Sequence, residues 1–460
     1  MESITLKEVI EAVEGKLIKK SNSNIKEFNT LTTDSRKIEK NSIFIALRGE
    51  NFNGNEFVVE GSKKGAGLCI IDDLCFDISE IDSSTSVVQV DDTKNALLNL
   101  AEYYRSRLNI KVIGITGSTG KTSTKDILAA MLSIKYKVFK TKGNFNNEIG
   151  LPLMIFSLDK SYDIAVLEMG MSDFGEIHRL AKVARPDIGI ITNIGVSHIE
   201  FLKTRENILK AKFEITDFFQ KNNKLIVNGE DDLLNKIHSN NFDILKVGFN
   251  KNNNLLASNV RSEISFSEFD LSHESESFKI DIPGRHNILN TLLGIKCCML
   301  LDLTFDEMRE GLNNIERTSM RLDLSNTDEY TIIDDCYNAS PDSMKAAIDV
   351  LYSYKDRRKV AVLGSMKELG EVAYKMHKDV GEYIKDKKID LLVVCGEYTD
   401  AYLEGYQNEK KFVKFNNLDE ILNNLKSIIY KDDVILVKAS RSERFEKIVT
   451  LLKDKDKKGE

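Results

Sequence analysis

Residues 114–122, with the sequence GITGSTGKT, decide the fold of this chain. Val112, Ile113 and Ile115 are typical of a buried parallel strand, and from Thr122 onward the apolar residues recur at the spacing of one helix face. A glycine-rich turn between a strand and a helix directs unpaired backbone N–H groups, and the positive helix end, toward an anion. The sequence therefore predicts a phosphate-binding loop followed by a helix.

Two residues of this loop have expected tasks of their own. We expect Lys121 to reach the outer phosphates of a nucleotide and the Thr122 hydroxyl to coordinate Mg²⁺. The first glycine of the common pattern would fall at Ile115, so this is the shorter TGxxGKT form. The alternative is a glycine turn with a chance Lys-Thr pair, and the strand–loop–helix context argues against it. The expected triphosphate-binding residues of the loop are Gly117, Ser118, Thr119, Gly120, Lys121 and Thr122.

Length and composition limit the class of protein. A chain of 460 residues predicts about three domains, and 42% hydrophobic with 30% charged residues is typical of a folded globular protein. The net charge of −7 argues against nucleic acid as a partner. No stretch approaches the ~20 uncharged apolar residues of a membrane span, and residues 1–15 lack the apolar segment of a signal peptide. We therefore expect a cytoplasmic protein with reduced cysteines and no membrane span.

The alternation of elements predicts an α/β fold of three domains. Residues 1–108 combine helical spacing with an apolar strand at 43–47. Residues 109–318 alternate strand and helix, which indicates a parallel sheet covered on both faces, and short-period alternation between 251 and 282 adds hairpin strands. Residues 319–460 form a second alternating unit, with its strands at 330–333, 359–363, 391–394 and 434–437.

Polar side chains follow the strands of the middle unit. Glu168 ends the apolar run 164–167, and His198 comes shortly after the run 188–193. Since ligands gather at the carboxyl ends of parallel strands, both should lie in one crevice with the glycine loop. Glu168 suits a Mg²⁺ ligand. His198 is either a metal ligand or a structural hydrogen-bonding residue, and the sequence alone leaves both open.

Two further pairs are weaker candidates. Asn287 and Asn290 are three residues apart at the start of a helix, so their amides can face one purine edge, although asparagine there is often a cap. Ser35 beside Arg36 can hold a phosphate or a uracil edge, or it can be a helix start with a solvated arginine. Polar clusters also follow the strands of the last unit, which predicts a cleft facing the glycine loop.

Taken in order, these stretches resemble the Mur ligases across essentially the whole chain. The matching motifs are TTDSRKI, IFIALRGENFNGNEF, GITGSTGKTSTKD, KGNFNNEIGLPL, VLEMGMSDFGEI, NIGVSHIEFL, AKFEI, PGRHNILN, MRLDL, IIDDCYNASPDSM, GSMKELG and LVKASRS. A set of this length in this order does not arise by chance.

The resemblance implies a fold and a reaction. It implies an N-terminal UDP-sugar-binding domain, a central P-loop ATPase domain with a parallel sheet, and a C-terminal Rossmann-like domain. It also implies ATP and two Mg²⁺ ions, with UDP-N-acetylmuramoyl-tripeptide and D-alanyl-D-alanine as the substrates of a monomeric ligase. Phosphorylation of the tripeptide carboxylate would give an acyl phosphate and ADP, and the dipeptide amine would then displace phosphate. The product would be the pentapeptide precursor of the cell wall.

The resemblance also implies roles for single residues. Glu168 and His198 match metal positions, and Lys212 matches a lysine that the family carbamylates, which spacing alone would make an ordinary surface lysine. On the nucleotide side it implies adenine contacts for Asn287 and Asn290, a γ-phosphate contact for Arg321, and a ribose contact for Asp335. The residues that it assigns to the substrates are Ser35, Arg36, Asn144, Asn146, Asn147, Lys438, Ser440 and Arg441.

Three departures from the family pattern and two alternatives remain. Ser365 stands where aspartate is common, Ala439 where glycine is common, and Phe445 where methionine is frequent. One alternative is the sister ligase that adds the third peptide residue, but no DNPR-like amino-acid-binding motif occurs in the last unit. The other is a regulatory P-loop module that binds nucleotide and a protein partner without ligating anything, which would have little need for Glu168, Arg321 and Lys212 together.

Overall fold

The sheets of this chain divide it into three structural units, as the α/β pattern predicts. The computed structural model describes residues 1–23, 25–272, 274–316 and 318–454. Within these ranges, five-, nine- and six-stranded sheets follow one another along the sequence, with a small two-stranded sheet near the start. No helix in the same ranges combines the length and apolarity needed to span a bilayer.

The first unit is built on the five-stranded sheet. Its strands are β1 (Ile4–Thr5), β2 (Lys16–Lys19), β3 (Glu27–Phe28), β4 (Leu31–Thr32), β5 (Ile43–Ile45), β6 (Leu68–Ile71) and β7 (Ser86–Gln89). Its helices are α1 (Leu6–Val13), α2 (Val58–Lys63) and α3 (Thr93–Ser106). The sheet has the order β2-β7-β6-β5-β4, in which β2 is antiparallel to β7 and the other pairs are parallel. The predicted strand at 43–47 is confirmed as β5, and every residue of it is buried.

The middle unit carries the nine-stranded sheet. Its strands are β8 (Lys111–Thr116), β9 (Val138–Lys140), β10 (Ile164–Glu168), β11 (Ile188–Ile191), β12 (Lys224–Asn228), β13 (Asp243–Gly248), β14 (Leu255–Ser262), β15 (Ser267–Leu271) and β16 (Phe278–Ile280). Its helices are α4 (Lys121–Leu132), α5 (Gly150–Ile155), α6 (Glu176–Ala184), α7 (Ile199–Leu202), α8 (Arg205–Phe213), α9 (Arg285–Met299) and α10 (Phe305–Leu312).

The strand order of this sheet brings three strand ends together. The order is β16-β15-β14-β13-β12-β11-β8-β10-β9, parallel from β9 to β14 and antiparallel beyond. β8, which leads into the glycine loop, lies between β10 and β11, so the loops after these three strands share one edge. The predicted hairpins are confirmed as β14 to β16, although Ile264 lies exposed in a turn instead of in a strand.

The third unit is a six-stranded sheet with helices. Its strands are β17 (Asp323–Asn326), β18 (Thr331–Asp334), β19 (Lys359–Leu363), β20 (Leu391–Cys395), β21 (Phe412–Phe415) and β22 (Val434–Lys438). Its helices are α11 (Pro341–Tyr352), α12 (Ala373–Lys385), α13 (Thr399–Tyr406), α14 (Leu418–Ile428) and α15 (Glu446–Lys453). The sheet order is β17-β18-β22-β19-β20-β21, with only β17 antiparallel to its neighbour. The four strands predicted for this unit are confirmed as β18, β19, β20 and β22.

Helix α3 joins the first two units. Tyr104 donates a hydrogen bond to the Leu158 carbonyl at 2.6 Å, and the Arg105 guanidinium donates to the Ala184 carbonyl at 3.1 Å. Buried residues of both units form one continuous apolar cluster around this helix. The predicted boundary at 108 therefore follows a helix that packs on both sides, and it stays a prediction, as does the boundary at 318.

Glu148 adds a polar connection at the same junction. Its carboxylate pairs with Lys94, at the start of α3, and with Arg179 of α6, and the side chain is only 10% exposed. Burial raises the pKa of the Glu148 carboxyl, but hydrogen bonds from the two cations outweigh burial and leave the pKa below its usual value of 4.5. The charged form is therefore favoured in the folded chain.

Replacing Glu148 with Gln is expected to destabilise the fold by about 1–2 kcal/mol at neutral pH, because two half-exposed cations lose a mostly buried partner. A depressed folded-state pKa gives stability that is complete above the unfolded value and is lost as pH falls through the folded value. The difference between variant and wild type should thus shrink below about pH 4. Thermal unfolding across this pH range measures it. Glu102→Gln removes a more exposed carboxylate that also pairs with α6, and it should cost less.

Candidate active site

The glycine loop after β8 has a backbone that only glycine accepts easily. Gly117 and Gly120 have φ values of +149° and +81°. A Cβ at Gly117 would lie 1.8 Å from Thr192 Oγ1, and one at Gly120 would lie 2.7 Å from Asn290 Oδ1. The loop therefore passes close to the end of β11 and to the start of α9, and both glycines are needed for this path.

Asn193, which the sequence analysis did not single out, holds this loop in shape. Its side-chain oxygen accepts a hydrogen bond from the Thr119 backbone at 2.9 Å, and its amide donates to Thr119 Oγ1 at 2.6 Å. Its carbonyl also accepts from the Ser118 N–H at 3.1 Å. Asn193 lies two positions after the last residue of β11, so the rule that places ligand-binding residues at strand ends would have found it.

Thr122 and Glu168 meet at the base of the loop. The Thr122 hydroxyl donates to Glu168 Oε2 at 2.8 Å, and Asn146 donates its amide to Glu168 Oε1 at 2.8 Å. Glu168 is 3% exposed, so its carboxylate is held by these partners and not by bulk water. This arrangement joins two predicted metal ligands with one predicted substrate-loop residue.

The donor set fits Mg²⁺ bound with a nucleotide. No group of three or more His, Cys, Asp or Glu side chains that could hold a metal occurs among residues 1–454 where they are described. Mg²⁺ does not need such a cage, because it commonly takes one or two protein oxygens, phosphate oxygens and water. The Thr122 hydroxyl and the Glu168 carboxylate, 2.8 Å apart, are oxygen ligands of that kind.

Lys212 is buried, which corrects the view that it is an ordinary surface lysine. It lies in α8 and is 1% exposed, and its Nζ has no hydrogen bond or ion pair with a described residue. Burial, with the nearby charge of Lys121 as a second cause, lowers the pKa of the Lys212 amine well below its usual value of 10.5. The spacing of residues along α8 does not reveal that Lys212 is buried, because the burial results from tertiary packing around the helix.

Lys121 is also poised for a charged ligand. Its Nζ donates to the Gly117 carbonyl at 2.7 Å. Desolvation lowers the pKa of this amine, while the Glu168 carboxylate acts in the opposite direction. A bound phosphate would favour the charged form further, because an opposite charge nearby stabilises an ammonium.

A cavity of about 270 Å³ lies between the loop and the third unit. The predicted nucleotide residues that line it are Ser118, Thr119, Gly120, Lys121, Thr122, Asn287, Asn290, Arg321 and Asp335. Lys438, predicted to contact substrate, lines it too. The structure thus brings together most of the predicted nucleotide site from two units.

The asparagine pair in this cavity is already partly hydrogen-bonded. Asn287 donates to the Pro283 carbonyl at 2.8 Å and accepts from Asn290 at 3.1 Å. Neither is a helix cap in this structure, since α9 begins at Arg285 after Gly284. The Asn290 carbonyl oxygen is turned toward Gly120.

The third unit contributes the charged groups of Arg321, Asp335, Asp342 and Lys438 to the cavity. The Arg321 guanidinium stacks 4.2 Å from the Tyr337 ring centroid, and its Nε is buried without a hydrogen-bond partner among the described residues. The Asp335 carboxylate accepts from Lys438 Nζ at 2.5 Å and from the Leu322 N–H at 3.1 Å. An arginine held on an aromatic face with an unused N–H suits an anion such as a phosphate.

His198 lies outside this cavity lining, at the contact with the third unit. Its Nδ1 is 2.5 Å from Glu368 Oε2, and this contact is the first cause of the lowered pKa of the Glu368 carboxyl. Glu368 belongs to the GSMKELG motif, and the position of this motif after β19 predicted that it lies at one edge of a cleft. The pairing of Glu368 with His198 was not predictable from the sequence.

The remaining predicted substrate residues are spread more widely. Arg36 is exposed and bidentate to Asp34, with contacts of 2.8 and 2.9 Å, and Ser35 begins a short helical turn in the first unit. Asn147 accepts from the backbone at the start of α5, and Asn144 lies in the same loop. Ser440 accepts from the Lys367 N–H at 2.9 Å, and Arg441 is exposed beside Glu446. None of these lines the nucleotide cavity.

The three departures from the family pattern lie in one region of the third unit. Ser365 is 1% exposed, and its hydroxyl has no hydrogen-bond partner among the described residues. A Cβ at Gly364 would lie 2.7 Å from both Ala439 and Phe445, which are buried against it. Ala439 and Phe445 therefore fill apolar space, whereas Ser365 leaves a buried polar atom unsatisfied.

Together, the strand–loop–helix after β8 and the polar groups that face it from another α/β unit define a P-loop nucleotide-binding protein with a two-domain cleft. Residues 115–298 match the model of the Mur ligase middle domain, and residues 320–441 match that of the Mur ligase glutamate ligase domain. The chain belongs to the Mur ligase family.

Individual relatives agree in sequence and in structure. The UDP-N-acetylmuramoyl-tripeptide–D-alanyl-D-alanine ligase of Bacillus subtilis is 37% identical over 452 residues, which cover 97% of each chain. Among solved structures, MurF from Acinetobacter baumannii matches with a TM-score of 0.91 at 30% identity and covers 99% of this chain and 100% of that one. MurF ligase from Thermotoga maritima in complex with ADP matches with a TM-score of 0.81 at 29% identity over 92% and 97%.

Proposed function

We propose that this protein is an ATP-dependent, ADP-forming ligase that joins D-alanyl-D-alanine to UDP-N-acetylmuramoyl-tripeptide and so forms the pentapeptide precursor of peptidoglycan. The observation that carries the proposal is the full-length match to ligases with that name, such as the 37% identical one of Bacillus subtilis. The geometry supports it, because Lys121 and Arg321, from different units, line one cavity. The proposal includes a cytoplasmic location and a monomeric state.

The chemistry requires that a carboxylate be made reactive. A carboxylate oxygen of the tripeptide attacks the γ-phosphorus of ATP, the bond to the bridging oxygen breaks, and an acyl phosphate and ADP form. The amine of D-alanyl-D-alanine then attacks the carbonyl carbon, its extra proton leaves, and phosphate departs with the carbon–oxygen electron pair. Lys121 and Arg321 are the cations that would offset the charge spread over the transferred group. A cleft between two units excludes water from the acyl phosphate.

Thr122, Glu168 and His198 are the side chains that we propose for Mg²⁺. Mg²⁺ would neutralise phosphate charge and orient the γ-phosphoryl group. Glu168 is held in place by Thr122 and by Asn146, each at 2.8 Å, so a carboxylate is fixed beside the loop hydroxyl before any ligand binds. Asn146 thereby ties the substrate loop to the phosphate loop.

Carbamylation of Lys212 is the remaining part of the proposal. Addition to CO₂ needs a neutral amine, whose lone pair forms the new N–C bond while a proton leaves the nitrogen. Burial lowers the pKa of Lys212 well below 10.5 and so favours the neutral form. The product would be an anion at a side chain that is 1% exposed and lies within electrostatic range of Lys121, which suits a group that binds or orders cations.

The decisive experiment is a mass-resolved product assay with UDP-tripeptide, ATP and either D-alanyl-D-alanine, lysine or diaminopimelate. We expect a pentapeptide product and phosphate release only with the dipeptide, and offering tripeptides that end in lysine and in diaminopimelate separately identifies which acceptor the enzyme uses. Phosphate release with a single amino acid and a UDP-dipeptide would instead identify the sister ligase. Nucleotide binding with no product in any combination would favour a regulatory module.

A further inference from the structure

The loop at residues 193–198 contacts both the phosphate-binding loop and the third unit. The Gly195 N–H donates to Ser118 Oγ at 2.9 Å, and Asn193 is bonded to Thr119 as described above. On its other side, a Cβ at Gly195 would lie 2.4 Å from Asp342 Oδ2 in the first turn of α11. Glycine at this position therefore allows the third unit to approach the loop closely.

The end of this loop is docked on the third unit by apolar and backbone contacts. Val196 and Ile199 pack against the apolar core of the third unit. The Glu200 N–H donates to the Glu368 carbonyl at 3.3 Å, and a Cβ at Gly370, which has a φ of +52°, would lie 3.2 Å from the Glu200 Cα. These contacts bring residues 368–370 directly onto the start of α7.

His198 and Glu368 face each other in this docked contact with unusual backbones. Their φ values are +63° and +62°, in the left-handed region that non-glycine residues adopt only when the surroundings require it. The two side chains therefore meet, with His198 Nδ1 2.5 Å from Glu368 Oε2, which is an ion-pair distance although the contact lacks the angle of a hydrogen bond. His198 Nε2 makes no hydrogen bond with any residue in the described ranges.

We propose that Glu368 is a positioning residue of the metal site: docking of the third unit brings its carboxylate to Nδ1 of His198, fixes the imidazole, and leaves Nε2 available to Mg²⁺. Metal-binding histidines commonly give their second ring nitrogen to a carboxylate, which sets the tautomer and the ring orientation. Here that carboxylate comes from a different structural unit than the histidine. The inference rests on the proposed function in one respect, namely that Mg²⁺ binds at this site together with the nucleotide.

This arrangement couples closure of the cleft to assembly of the metal site. With the third unit undocked, His198 loses the partner that orients it, and the loop at 193–198 loses Asp342 and Glu368 together. The complete Mg²⁺ site therefore exists only when the units that enclose the acyl phosphate are closed.

The test uses Mn²⁺ as the probe, with the full chain and ADP, and measures free Mn²⁺ by electron paramagnetic resonance. We expect Glu368→Gln to weaken Mn²⁺ binding about 10-fold, the lower end of the effect of a lost ligand-orienting partner. Glu368→Asp, which keeps the carboxylate, should recover part of the loss. Glu371→Gln removes an exposed carboxylate from the same segment and should bind Mn²⁺ as the wild type does.

A double-mutant comparison separates orientation of His198 from a general effect of charge. In a His198→Ala background, Glu368→Gln should cause no further loss, because the two residues act as one unit. Wild-type Mn²⁺ affinity in Glu368→Gln or in His198→Ala overturns the proposal, and so does an equal loss from Glu368→Gln with and without His198. Because this readout needs no turnover, it is independent of whether the product assay succeeds.

Discussion

Lys212→Ala is expected to lower phosphate release by about 10²–10³-fold, the scale of a lost electrostatic stabiliser in an active site. Lys212 is 1% exposed, has no anionic partner among the described residues, and carries an amine whose pKa is lowered by burial. Such an amine is matched to reaction with CO₂, and the resulting carbamate would be the missing anion. Alanine removes the group but leaves the space that it filled.

That space makes the prediction specific. A short-chain carboxylic acid such as acetate or propionate can occupy the space left by the Lys212 side chain and supply an anion there. It should therefore restore part of the activity of the Lys212→Ala variant. The activity is measured as phosphate released with all substrates present. Lys210→Ala changes an exposed lysine of the same helix, and it should neither slow the enzyme nor respond to the acid. Wild-type turnover by Lys212→Ala, or loss without rescue, would contradict the carbamate proposal.

Lys121→Met is expected to lower kcat by about 10³-fold, because Lys121 would neutralise charge on the phosphoryl group as it is transferred. Its Nζ already lies in the glycine loop, 2.7 Å from the Gly117 carbonyl, and it lines the cavity together with Arg321. Methionine keeps the length and the apolar contacts of the side chain but not the charge. The loss should therefore appear in turnover and not in the thermal stability of the chain.

Steady-state kinetics with saturating substrates measures this effect, and calorimetric titration with ADP shows how much of it is nucleotide binding. Lys111→Met is the matched control, since Lys111 is half-exposed at the start of the strand that leads to the loop. We expect it to turn over as the wild type does. If the kcat of Lys121→Met lies within about 10-fold of the wild-type value, Lys121 is not a catalytic residue.

The outline of the fold was predictable because it depends on local patterns. Apolar runs such as 164–167 and 359–363 are buried strands in the structure, and the glycine loop after residues 112–115 opens helix α4 as expected. Hydrophobic periodicity and turn residues act over a few positions, so one sequence is enough to read them. The hairpin turn at Ile264 shows the limit, since a short apolar alternation does not fix where a strand ends.

The candidate site was only partly predictable. The rule that ligands gather at strand ends led correctly to the cluster of Glu168 with Thr122, and the same rule applied to the end of β11 also points to Asn193, which the sequence analysis did not single out. Lys212 was chosen because of the family resemblance, and its burial was invisible to spacing. Helix α8 shows little amphipathic pattern, so nothing local marks which of its lysines points inward.

By itself, the sequence determined that this chain has a phosphate-binding loop on a parallel sheet and a second α/β unit that faces it. Those properties follow from residue types at short separations, where backbone geometry and burial are set locally. Only the tertiary structure decided that Glu368 meets His198 and that Lys212 is buried with no anionic partner among the residues that the structure describes. Contacts between residues 170 positions apart depend on how whole units dock, and no local pattern encodes that.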